Sequence, residues 1–223
     1  MTGGWAVVMP VKRLGGAKTR LADAAGEELR PALALAFAED TLAAVMECAA
    51  VSSVTVVTDD EQARATLSRL GAAVVPDSPR GGLNAAVEHG VIAVRAARPG
   101  AAVAVAALNA DLPALRAEEL ARVLDEAAAA PRSFLADAAG TGTTLLAVLP
   151  GVDPAPGFGP ASRMRHRASG AVELMPSGVE SVRQDVDTGE DLLAAIALGV
   201  GPRTARSTHR LGAGFRRSAA SHG

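Results

Sequence analysis

The feature that most constrains the fold of this chain is an alternation of short apolar runs with longer amphipathic segments. Residues 5–10, 54–58, 73–75 and 102–108 are apolar runs of strand length, and a segment with the apolar spacing of a helix follows each of them. Strands that alternate with helices form right-handed crossover units, in which helices cover both faces of a parallel sheet. The sequence therefore predicts an α/β fold with three layers.

The second half of the chain breaks this rhythm. Residues 133–137 and 143–149 are both predicted strands, and only the residues A-A-G-T-G connect them. So short a connection suits an antiparallel hairpin, whereas a parallel crossover needs about a dozen residues or more. We therefore predict a mixed, mostly parallel sheet that is flanked by helices.

Composition limits the class of function and the number of domains. The chain has 223 residues, of which 49% are hydrophobic, and it contains no Tyr and one Trp. Such a chain can bury one large core, but it has few aromatic rings for base stacking, and its net charge of −2 also argues against a nucleic-acid partner. Residues 1–200 are predicted to form a single domain. Residues 201–223 contain five arginines and no acidic residue, and they are predicted to form a basic flexible tail.

Cysteine usage and hydropathy indicate a cytoplasmic protein. Cys48 is the only cysteine, so the sequence excludes an internal disulfide and favours a reducing compartment. Its apolar neighbours predict a small core residue instead of a reactive thiol. No apolar run approaches the length of about eighteen residues that a membrane helix needs, so no membrane partner is expected. The oligomeric state stays open, with a homodimer as one option.

Carboxylates follow two of the predicted strands. Asp111 lies just past the strand over 102–108, where an open α/β sheet binds ligands and a carboxylate can hold a divalent metal against phosphates. Asp185 and Asp187 lie at the end of a predicted strand over 182–187, on the same side of an extended segment. If they gather with Asp111, their mutual repulsion calls for a cation such as Mg²⁺. The alternatives are that Asp111 and Asp187 cap the helices that follow them and that Asp185 is a surface residue.

A basic loop with two adjacent glycines follows the first strand. Gly15 and Gly16 allow backbone N–H groups to approach an anion. The basic residues Lys12, Arg13, Lys18 and Arg20 could neutralise a triphosphate. The spacing matches neither the P-loop nor the dinucleotide-binding fingerprint. The loop is therefore either a phosphate site or a solvated basic turn.

Two further loops could contact a nucleotide or another anion. The stretch R-G-G-L-N carries Gly82 and Asn84, which could frame a nucleobase or ribose, or form a glycine turn with an Asn helix cap. A helix predicted to begin near Ser162 carries three arginines, and the alternatives there are an anion pocket and a solvated basic helix. His166 in that helix is either a surface residue or a catalytic base.

Taken in order, six stretches of this chain resemble one family. They are V-M-P-V-K-R-L-G-G-A-K-T-R-L, R-G-G-L-N, N-A-D-L-P, T-G-T-T, F-G-P-A-S-R-M-R-H and D-V-D-T-G-E-D-L, and they lie within residues 5–198. They resemble the guanylyltransferases of deazaflavin coenzyme F-420 biosynthesis, which condense GTP with 2-phospho-L-lactate or, in the actinobacterial type, with phosphoenolpyruvate. The Ala- and Arg-rich composition favours the actinobacterial type. The resemblance implies a nucleotide-diphospho-sugar transferase fold of the glycosyltransferase-A type, dependence on Mg²⁺ and release of pyrophosphate.

The resemblance also implies roles for individual residues. Matched by position, the metal ligands are Asp111, Asp185 and Asp187; the catalytic residues are Lys18, Arg20 and Asp111; the phosphoenolpyruvate-binding residues are Thr144, Gly159 and Ser162; and the nucleotide-binding residues are Lys12, Gly15, Gly16, Lys18, Gly82 and Asn84. Asp185 is favoured over Asp187 as the second metal ligand. Two positions depart from the family pattern: Ala110 replaces a glycine, and Gly189 replaces a proline that is common in related transferases.

The chemistry implied by the resemblance is a nucleotidyl transfer. The acceptor phosphate is already an anionic nucleophile, so attack on the α-phosphorus of GTP needs positioning and charge stabilisation but no strong general base. The alternatives are a 2-phospho-L-lactate guanylyltransferase, a molybdenum-cofactor or sugar nucleotidyltransferase, a sugar-nucleotide glycosyltransferase, and an inert nucleotide-binding module. Pyrophosphate release distinguishes a nucleotidyltransferase from a glycosyltransferase, and nucleotide binding without turnover identifies the inert module.

Overall fold

One seven-stranded sheet organises the fold. The computed structural model describes residues 4–16, 21, 29–77 and 81–209. The strands are β1 (Trp5–Pro10), β2 (Val51–Val57), β3 (Ala73–Val75), β4 (Val105–Leu108), β5 (Arg132–Ala136), β6 (Thr143–Val148) and β7 (Val172–Glu173). Their order across the sheet is β3-β2-β1-β4-β6-β5-β7.

All neighbouring strands are parallel except where β6 is involved. β1 pairs in parallel with β2 and β4, β2 with β3, and β5 with β7, whereas β6 is antiparallel to β4 and to β5. The predicted hairpin and the mixed, mostly parallel sheet are therefore confirmed. Because β6 runs in the opposite direction, its first residue lies at the same sheet edge as the last residues of β1, β4 and β5.

Helices connect the strands and cover the sheet. In the described ranges they are α1 (Arg30–Glu47), α2 (Glu61–Arg69), α3 (Gly82–Ala96), α4 (Ala117–Ala127), α5 (Ser162–Ala168), α6 (Glu180–Arg183), α7 (Gly189–Leu198) and α8 (Pro202–His209). A short 3-10 helix at Leu14–Gly16 lies in the loop after β1. Proline near the start of α1 suits the first turn of a helix, where its missing N–H has no partner to lose.

Both faces of the sheet carry a hydrophobic cluster, as a three-layer fold requires. One face packs against α1, α2 and α4, which contribute Leu42, Leu67 and Leu120 to the cluster. The other face packs against α3, where Gly90 lies so close to the sheet that an added Cβ would come within 2.4 Å of a Val8 methyl carbon. Full burial of each large apolar side chain contributes roughly 1.5–3 kcal/mol, so the clusters provide the main stabilisation of the layers.

A third and smaller cluster lies under the segment that precedes α7. It joins Leu33 and Phe37 of α1 to Ala114, Val186 and Leu192. Residues 182–187 were predicted as a strand, and this prediction is wrong, because residues 180–183 form α6 and residues 184–187 are irregular. The apolar residues of this segment are buried by packing against helices instead of by pairing with a strand.

The first part of the predicted tail belongs to the packed structure. Residues 202–209 form α8, and the Asp40 carboxylate of α1 accepts hydrogen bonds from the N–H groups of Thr204 at 2.7 Å and Arg203 at 3.2 Å. The domain boundary predicted at residue 200 therefore lies inside a docked segment. Residues 202–209 show no apolar periodicity, because polar groups make their contacts with α1. Residues 210–223 of the predicted tail lie outside the described residues.

Cys48 is a core residue, as predicted. It is 2% exposed, and burial raises the pKa of its thiol. Among the helices described here, none has both the length and the apolar character that crossing a bilayer would require.

Candidate active site

A cavity opens at the carboxyl edge of the parallel strands. It has a volume of about 630 Å³ and lies where ligands bind in open α/β sheets. Its walls come from residues after β1, β4 and β5, from the start of β6, and from the segments before α5 and α7. The predicted site residues that line it are Lys12, Gly16, Asp111, Gly159, Ser162, Asp185 and Asp187.

Asp111 is fixed in this cavity by contacts of the neighbouring backbone. The N–H of Leu112 donates to the hydroxyl of Thr41 at 3.1 Å, and the carbonyl of Asp111 accepts from the N–H of Val186 at 3.1 Å. The N-cap residue of α4 is Arg116, and no side chain caps that helix. The alternative in which Asp111 is a helix cap is therefore excluded.

The segment before α7 directs two more carboxylates into the cavity. Val186 is fully buried, and its neighbours Asp185 and Asp187 both line the cavity. Thr188 caps α7 in a capping box, so Asp187 is not the helix cap. Because Val186 points into the core, Asp185 and Asp187 on either side of it both face the cavity. The sequence predicted that the two carboxylates lie on the same side, but it assigned this to a strand, and no strand forms here.

The charges on the cavity walls favour a bound cation. Among the described lining residues, Asp111, Asp137, Asp185 and Asp187 are acidic, and Lys12 is basic. Two like charges repel by about 4 kcal/mol at a separation of roughly 4 Å and an effective dielectric constant of ~20. In residues 4–16, 21, 29–77 and 81–209, no three carboxylate, histidine or cysteine side chains converge closely enough to enclose a metal ion. The donor set fits Mg²⁺ in its usual form, with one or two protein carboxylates and substrate phosphates as ligands.

The basic loop after β1 supplies another wall of the cavity. Lys12 and Gly16 line the cavity, whereas Gly15 does not. An added Cβ at either glycine would meet nothing within 4 Å, so the packing of the described protein does not itself require glycine there. Lys18 and Arg20, the predicted catalytic cations of this loop, lie outside the described residues.

The same loop is tied to the start of α2 through one carboxylate. Asp60 caps α2 by accepting from the N–H of Ala63 at 2.9 Å, and its other oxygen accepts from the N–H of Leu14 at 3.0 Å. The Leu14 side chain is buried. These contacts hold the backbone of the loop while Lys12 stays exposed beside the cavity.

The predicted nucleoside residues Gly82 and Asn84 do not line the cavity, although Leu83 between them does. The Asn84 Oδ1 atom accepts from the N–H of Phe158 at 2.8 Å, and its Nδ2 atom donates to the Phe158 carbonyl at 3.2 Å. Gly82 adopts a φ of +83° at the start of α3, a conformation that favours glycine. The structure therefore corrects the Asn84 prediction: the amide holds the loop before α5 instead of facing the cavity.

The loop before α5 carries two of the predicted acceptor residues. Gly159 has a φ of +111°, and a Cβ there would come within 3.0 Å of an Arg165 nitrogen. Ser162 is 2% exposed and lines the cavity. Between them, Ala161 has a φ of +54°, which costs a residue other than glycine about 1–3 kcal/mol. This stretch of the wall is therefore both tightly packed and strained.

The two threonines at the start of β6 differ in their exposure to the cavity. Thr143 lines it, whereas the side chain of Thr144, the predicted acceptor residue, is fully buried and does not. Leu135 of β5 pairs with Leu145, but the next residue, Ala136, pairs with Thr143, so Thr144 is the extra residue of a β-bulge. The bulge is the physical reason that Thr143, not Thr144, presents its side chain to the cavity.

His166 of α5 is fully buried behind Thr143, so it is not a surface residue. Its Nδ1 atom lies 2.9 Å from Thr143 Oγ1, and its Nε2 atom lies 2.9 Å from the backbone nitrogen of Gly157. The imidazole ring packs against Phe134 and Phe158, at centroid distances of 5.4 and 5.2 Å. One ring therefore connects the start of β6 to the loop before α5.

The surroundings of His166 keep the imidazole neutral at pH 7. Burial, together with the positive charges of Arg165 and Arg132, lowers its pKa from 6.5 to about 4, and burial is the largest of these causes. Because the ring is fully buried and both of its nitrogens contact protein groups, it does not act as a base on a bound ligand. Of the two roles that the sequence left open for His166, the structure supports neither.

The three arginines of α5 bind protein groups and do not line the cavity. Arg163 donates to one Glu173 oxygen at 2.8 Å, and Arg167 lies 3.5 Å from the other. Arg165 donates to two backbone carbonyls of the preceding loop, each at 2.9 Å. The predicted anion pocket on this helix is therefore replaced by a set of contacts that stabilise the loop.

The cavity-lining residues that were not selected from the sequence include Asn109, Asp137 and Thr143. Asn109 and Asp137 stand immediately after β4 and β5, so the strand-end rule that selected Asp111 also applies to them. Asp137 accepts from two N–H groups of the turn that it closes, at 2.9 and 2.8 Å. Thr143 could not be distinguished from Thr144 without the register of β5 and β6.

The sheet order, the single reversed strand and the carboxylates at one edge define this chain as a protein of the nucleotide-diphospho-sugar transferase fold. A crystal structure of a putative nucleotide-diphospho-sugar transferase from Desulfovibrio desulfuricans G20 has this fold. It superimposes with a TM-score of 0.71 over 97% of this chain and 98% of that chain, at 17% identity. More specifically, the chain belongs to the family described as "Guanylyl transferase CofC like", whose model matches residues 5–222.

Relatives match this chain over nearly their whole lengths. A phosphoenolpyruvate guanylyltransferase of Streptomyces coelicolor is 64% identical over 207 residues, which are 93% of this chain and 97% of that protein. A protein of the same name from Streptomyces scabiei is 61% identical over 211 residues, again 93% of this chain and 97% of the relative. The family that the six motifs indicated is therefore confirmed.

Proposed function

We propose that this chain is a phosphoenolpyruvate guanylyltransferase of coenzyme F-420 biosynthesis. It would condense GTP with phosphoenolpyruvate to give enolpyruvyl-2-diphospho-5'-guanosine and pyrophosphate. Membership of the guanylyl transferase family and the names of relatives more than 60% identical support this activity. The structural observation that carries the proposal is the meeting of Asp111, Asp185 and Asp187 with Gly159 and Ser162 around one cavity.

The reaction is a substitution at the α-phosphorus of GTP. A phosphate oxygen of phosphoenolpyruvate attacks that phosphorus, a new P–O bond forms, and the bond to the β-phosphate oxygen breaks to release pyrophosphate. The attacking oxygen is already anionic, so the chain needs to position two anions and does not need to remove a proton. The enclosure of His166 away from the cavity agrees with this requirement.

The wall carboxylates are the proposed Mg²⁺ ligands. Asp111, together with Asp185 or Asp187, would hold the ion, because all three residues line the same cavity. The segment that carries Asp185 and Asp187 is held beside Asp111 by the hydrogen bond from the N–H of Val186 to the Asp111 carbonyl. When bound, Mg²⁺ supplies positive charge that offsets repulsion between the two substrates and stabilises the departing pyrophosphate.

The remaining wall residues are assigned to the two substrates. Lys12 and the Gly16 backbone, which line the cavity, are proposed to contact the triphosphate, and Lys18 and Arg20 are the proposed catalytic cations. On the other side, Gly159 and Ser162 are proposed to contact phosphoenolpyruvate. Because both substrates are soluble metabolites, we place this activity in the cytoplasm.

Pyrophosphate release tests the proposal. Full-length protein is incubated with Mg²⁺ and GTP, and phosphoenolpyruvate or 2-phospho-L-lactate is added in parallel. Release that requires phosphoenolpyruvate, stops when EDTA removes the metal and is lost in Asp111→Asn would support the assigned reaction. Release with 2-phospho-L-lactate alone would change the acceptor, and GTP binding without release with either acceptor would contradict the guanylyltransferase assignment.

A further inference from the structure

His166 is a fully buried side chain next to the cavity that the proposed reaction does not use. Its Nε2 atom lies 2.9 Å from the backbone nitrogen of Gly157, and its Nδ1 atom lies 2.9 Å from Thr143 Oγ1. A backbone N–H can only donate, so Nε2 accepts that hydrogen bond. A neutral imidazole then carries its single proton on Nδ1.

This tautomer sets the direction of the hydrogen bond to Thr143. The Nδ1–H group donates and Thr143 Oγ1 accepts, so the hydroxyl proton must be donated to a different atom. Within the part of the chain that the structure describes, Thr143 Oγ1 makes no second hydrogen bond, and Thr143 lines the cavity. We propose that His166 is a positioning residue that directs the Thr143 hydroxyl proton into the cavity, toward an anionic oxygen of the acceptor substrate.

The chemistry of the cavity identifies the class of group that this hydroxyl recognises. Thr143 is 4% exposed, so a donor held there loses most of its contact with water and binds best to a charged acceptor. The neighbouring Asp137 carboxylate is already bonded to the N–H groups of Thr141 and Gly142. The ligand is therefore a small organic acid whose carboxylate or phosphate oxygen reaches the start of β6. That it is the guanylyl acceptor rests on the proposed function.

The same imidazole also fixes the opposite side of this subsite. His166 of α5 accepts a hydrogen bond from Gly157, and Asn84 of α3 makes two hydrogen bonds with Phe158. Side chains from two helices therefore hold the two consecutive residues that precede Gly159. His166 thereby sets both the direction of the Thr143 hydroxyl and the position of the loop. A residue with this arrangement controls affinity for the acceptor much more than affinity for GTP.

The tautomer can be measured without any turnover. A long-range ¹H–¹⁵N correlation spectrum of the ¹⁵N-histidine-labelled protein at pH 7 resolves the protonation of each of its 4 histidines. We expect one ring to be protonated on Nδ1 alone, and we expect its signals to be absent from His166→Gln but present in His209→Gln. A His166 ring protonated on Nε2, or on both nitrogens, would overturn the proposal.

Steady-state kinetics test the effect on the acceptor. Thr143→Val keeps the shape of the side chain but removes the hydroxyl, and we expect it to raise KM for the acceptor about tenfold to hundredfold, as for loss of one hydrogen bond to a charged group. Thr143→Ser keeps the hydroxyl and should stay within about threefold of wild type. KM for GTP should change little in both variants. Thr66→Val on α2 is the matched control.

A double mutant separates positioning from simple loss of packing. His166→Phe keeps an aromatic ring but removes both hydrogen bonds. It should raise the acceptor KM less in the Thr143→Val background than in wild type, because only the contact with Gly157 is then left to lose. His166→Gln, which can still donate and accept, should recover part of the loss. Equal increases in both KM values, or additive effects in the double mutant, would overturn the proposal.

The two proposals fail in different ways. If wild-type protein releases no pyrophosphate with either acceptor, the proposed function fails, and the spectrum still decides whether His166 directs the Thr143 hydroxyl. If wild type is active and Thr143→Val leaves the acceptor KM unchanged, the proposed function stands and this inference fails.

Discussion

The walls of the cavity at β1 and at β6 are held by different kinds of contact. At β1, Lys12 and Gly16 are exposed, and the contacts that fix the loop include the burial of Leu14 and the hydrogen bond from its backbone N–H to Asp60. Lys12 of this loop is the basic residue among the described lining residues, and the other charged residues there are acidic. This wall therefore acts mainly through charge.

The wall at β6 also includes the loop before α5, and side chains hold two successive residues of that loop by their backbone. His166 bonds to Gly157, Asn84 bonds twice to Phe158, and Arg165 bonds to the carbonyls of both. The difference matches the two proposed substrates. A triphosphate offers many charges along a flexible chain, whereas a small acid offers few atoms and must be positioned in advance.

Asp111→Asn should have the largest effect, because it removes a cavity carboxylate that is proposed to bind the metal ion. We expect the rate of pyrophosphate release to fall about a thousandfold, comparable with loss of a central electrostatic group in other enzymes. The measurement is a coupled pyrophosphate assay at saturating substrates. Asp125→Asn, an exposed carboxylate on α4, is the control. More than a tenth of wild-type activity in Asp111→Asn would contradict the assigned role.

Acid should destabilise the protein through His166. Burial lowers the pKa of His166 from 6.5 to about 4, so between these pH values the unfolded chain binds a proton that the folded chain does not. The free energy of unfolding therefore falls as the pH falls through that range, by about 3 kcal/mol at its lower end.

Urea titrations at pH 7 and pH 4.5 measure this effect. The fall in the free energy of unfolding between the two pH values should be smaller in His166→Phe than in wild type, because phenylalanine does not titrate. His209→Phe, at an exposed position on α8, should keep the wild-type dependence. An equal pH dependence in wild type and His166→Phe would show that His166 does not contribute it.

Asn84→Ala should weaken the wall at β6 alone. It removes both side-chain contacts to Phe158, and we expect the acceptor KM to rise about tenfold, with KM for GTP within about twofold of wild type. Asn84→Asp keeps the hydrogen bond from the Phe158 N–H, so its acceptor KM should lie between those of wild type and Asn84→Ala. The opposite pattern, a rise in KM for GTP alone, would restore the nucleoside role that the sequence suggested for Asn84.

Lys12→Ala should produce the smallest effect, and that effect should be on KM for GTP instead of on the acceptor KM. Loss of one exposed ammonium group is expected to raise KM for GTP about threefold at low salt and less at high salt, because salt screens exposed charges. The acceptor KM should not change. Arg13→Ala is the matched control, since Arg13 is exposed and does not line the cavity. Equal effects of the two variants would indicate general attraction instead of a defined contact.

Much of the fold was predictable because the strands are short apolar runs with clear boundaries. β1 and β3 occupy the predicted residues, and the five-residue turn correctly indicated the β5–β6 hairpin. The segment before α7 was not predictable from alternation. Its buried valine packs against α1 from a distant part of the chain, and the same spacing of residues also fits a strand.

The candidate site was predictable where it follows from strand ends. Asp111 was placed by the end of β4, whereas the roles of Asn84 and His166 depend on contacts with residues 74 and 23 positions away. Thr143 and Thr144 are equivalent as residue types, and only a bulge in the β5–β6 register separates them. Local patterns do not contain such register information.

The reversed direction of β6 gives the turn before that strand a second role. Because β6 enters the sheet from the functional edge, the turn before it is both a connection and a wall, and Thr141 and Gly142 of that turn line the cavity. Turns at such positions tolerate changes in length better than buried strands do. Insertion of one or two residues there is expected to reshape the proposed acceptor subsite while β1 and β4 keep their places, so the length of this turn is expected to change the choice of acceptor without changing the binding of GTP.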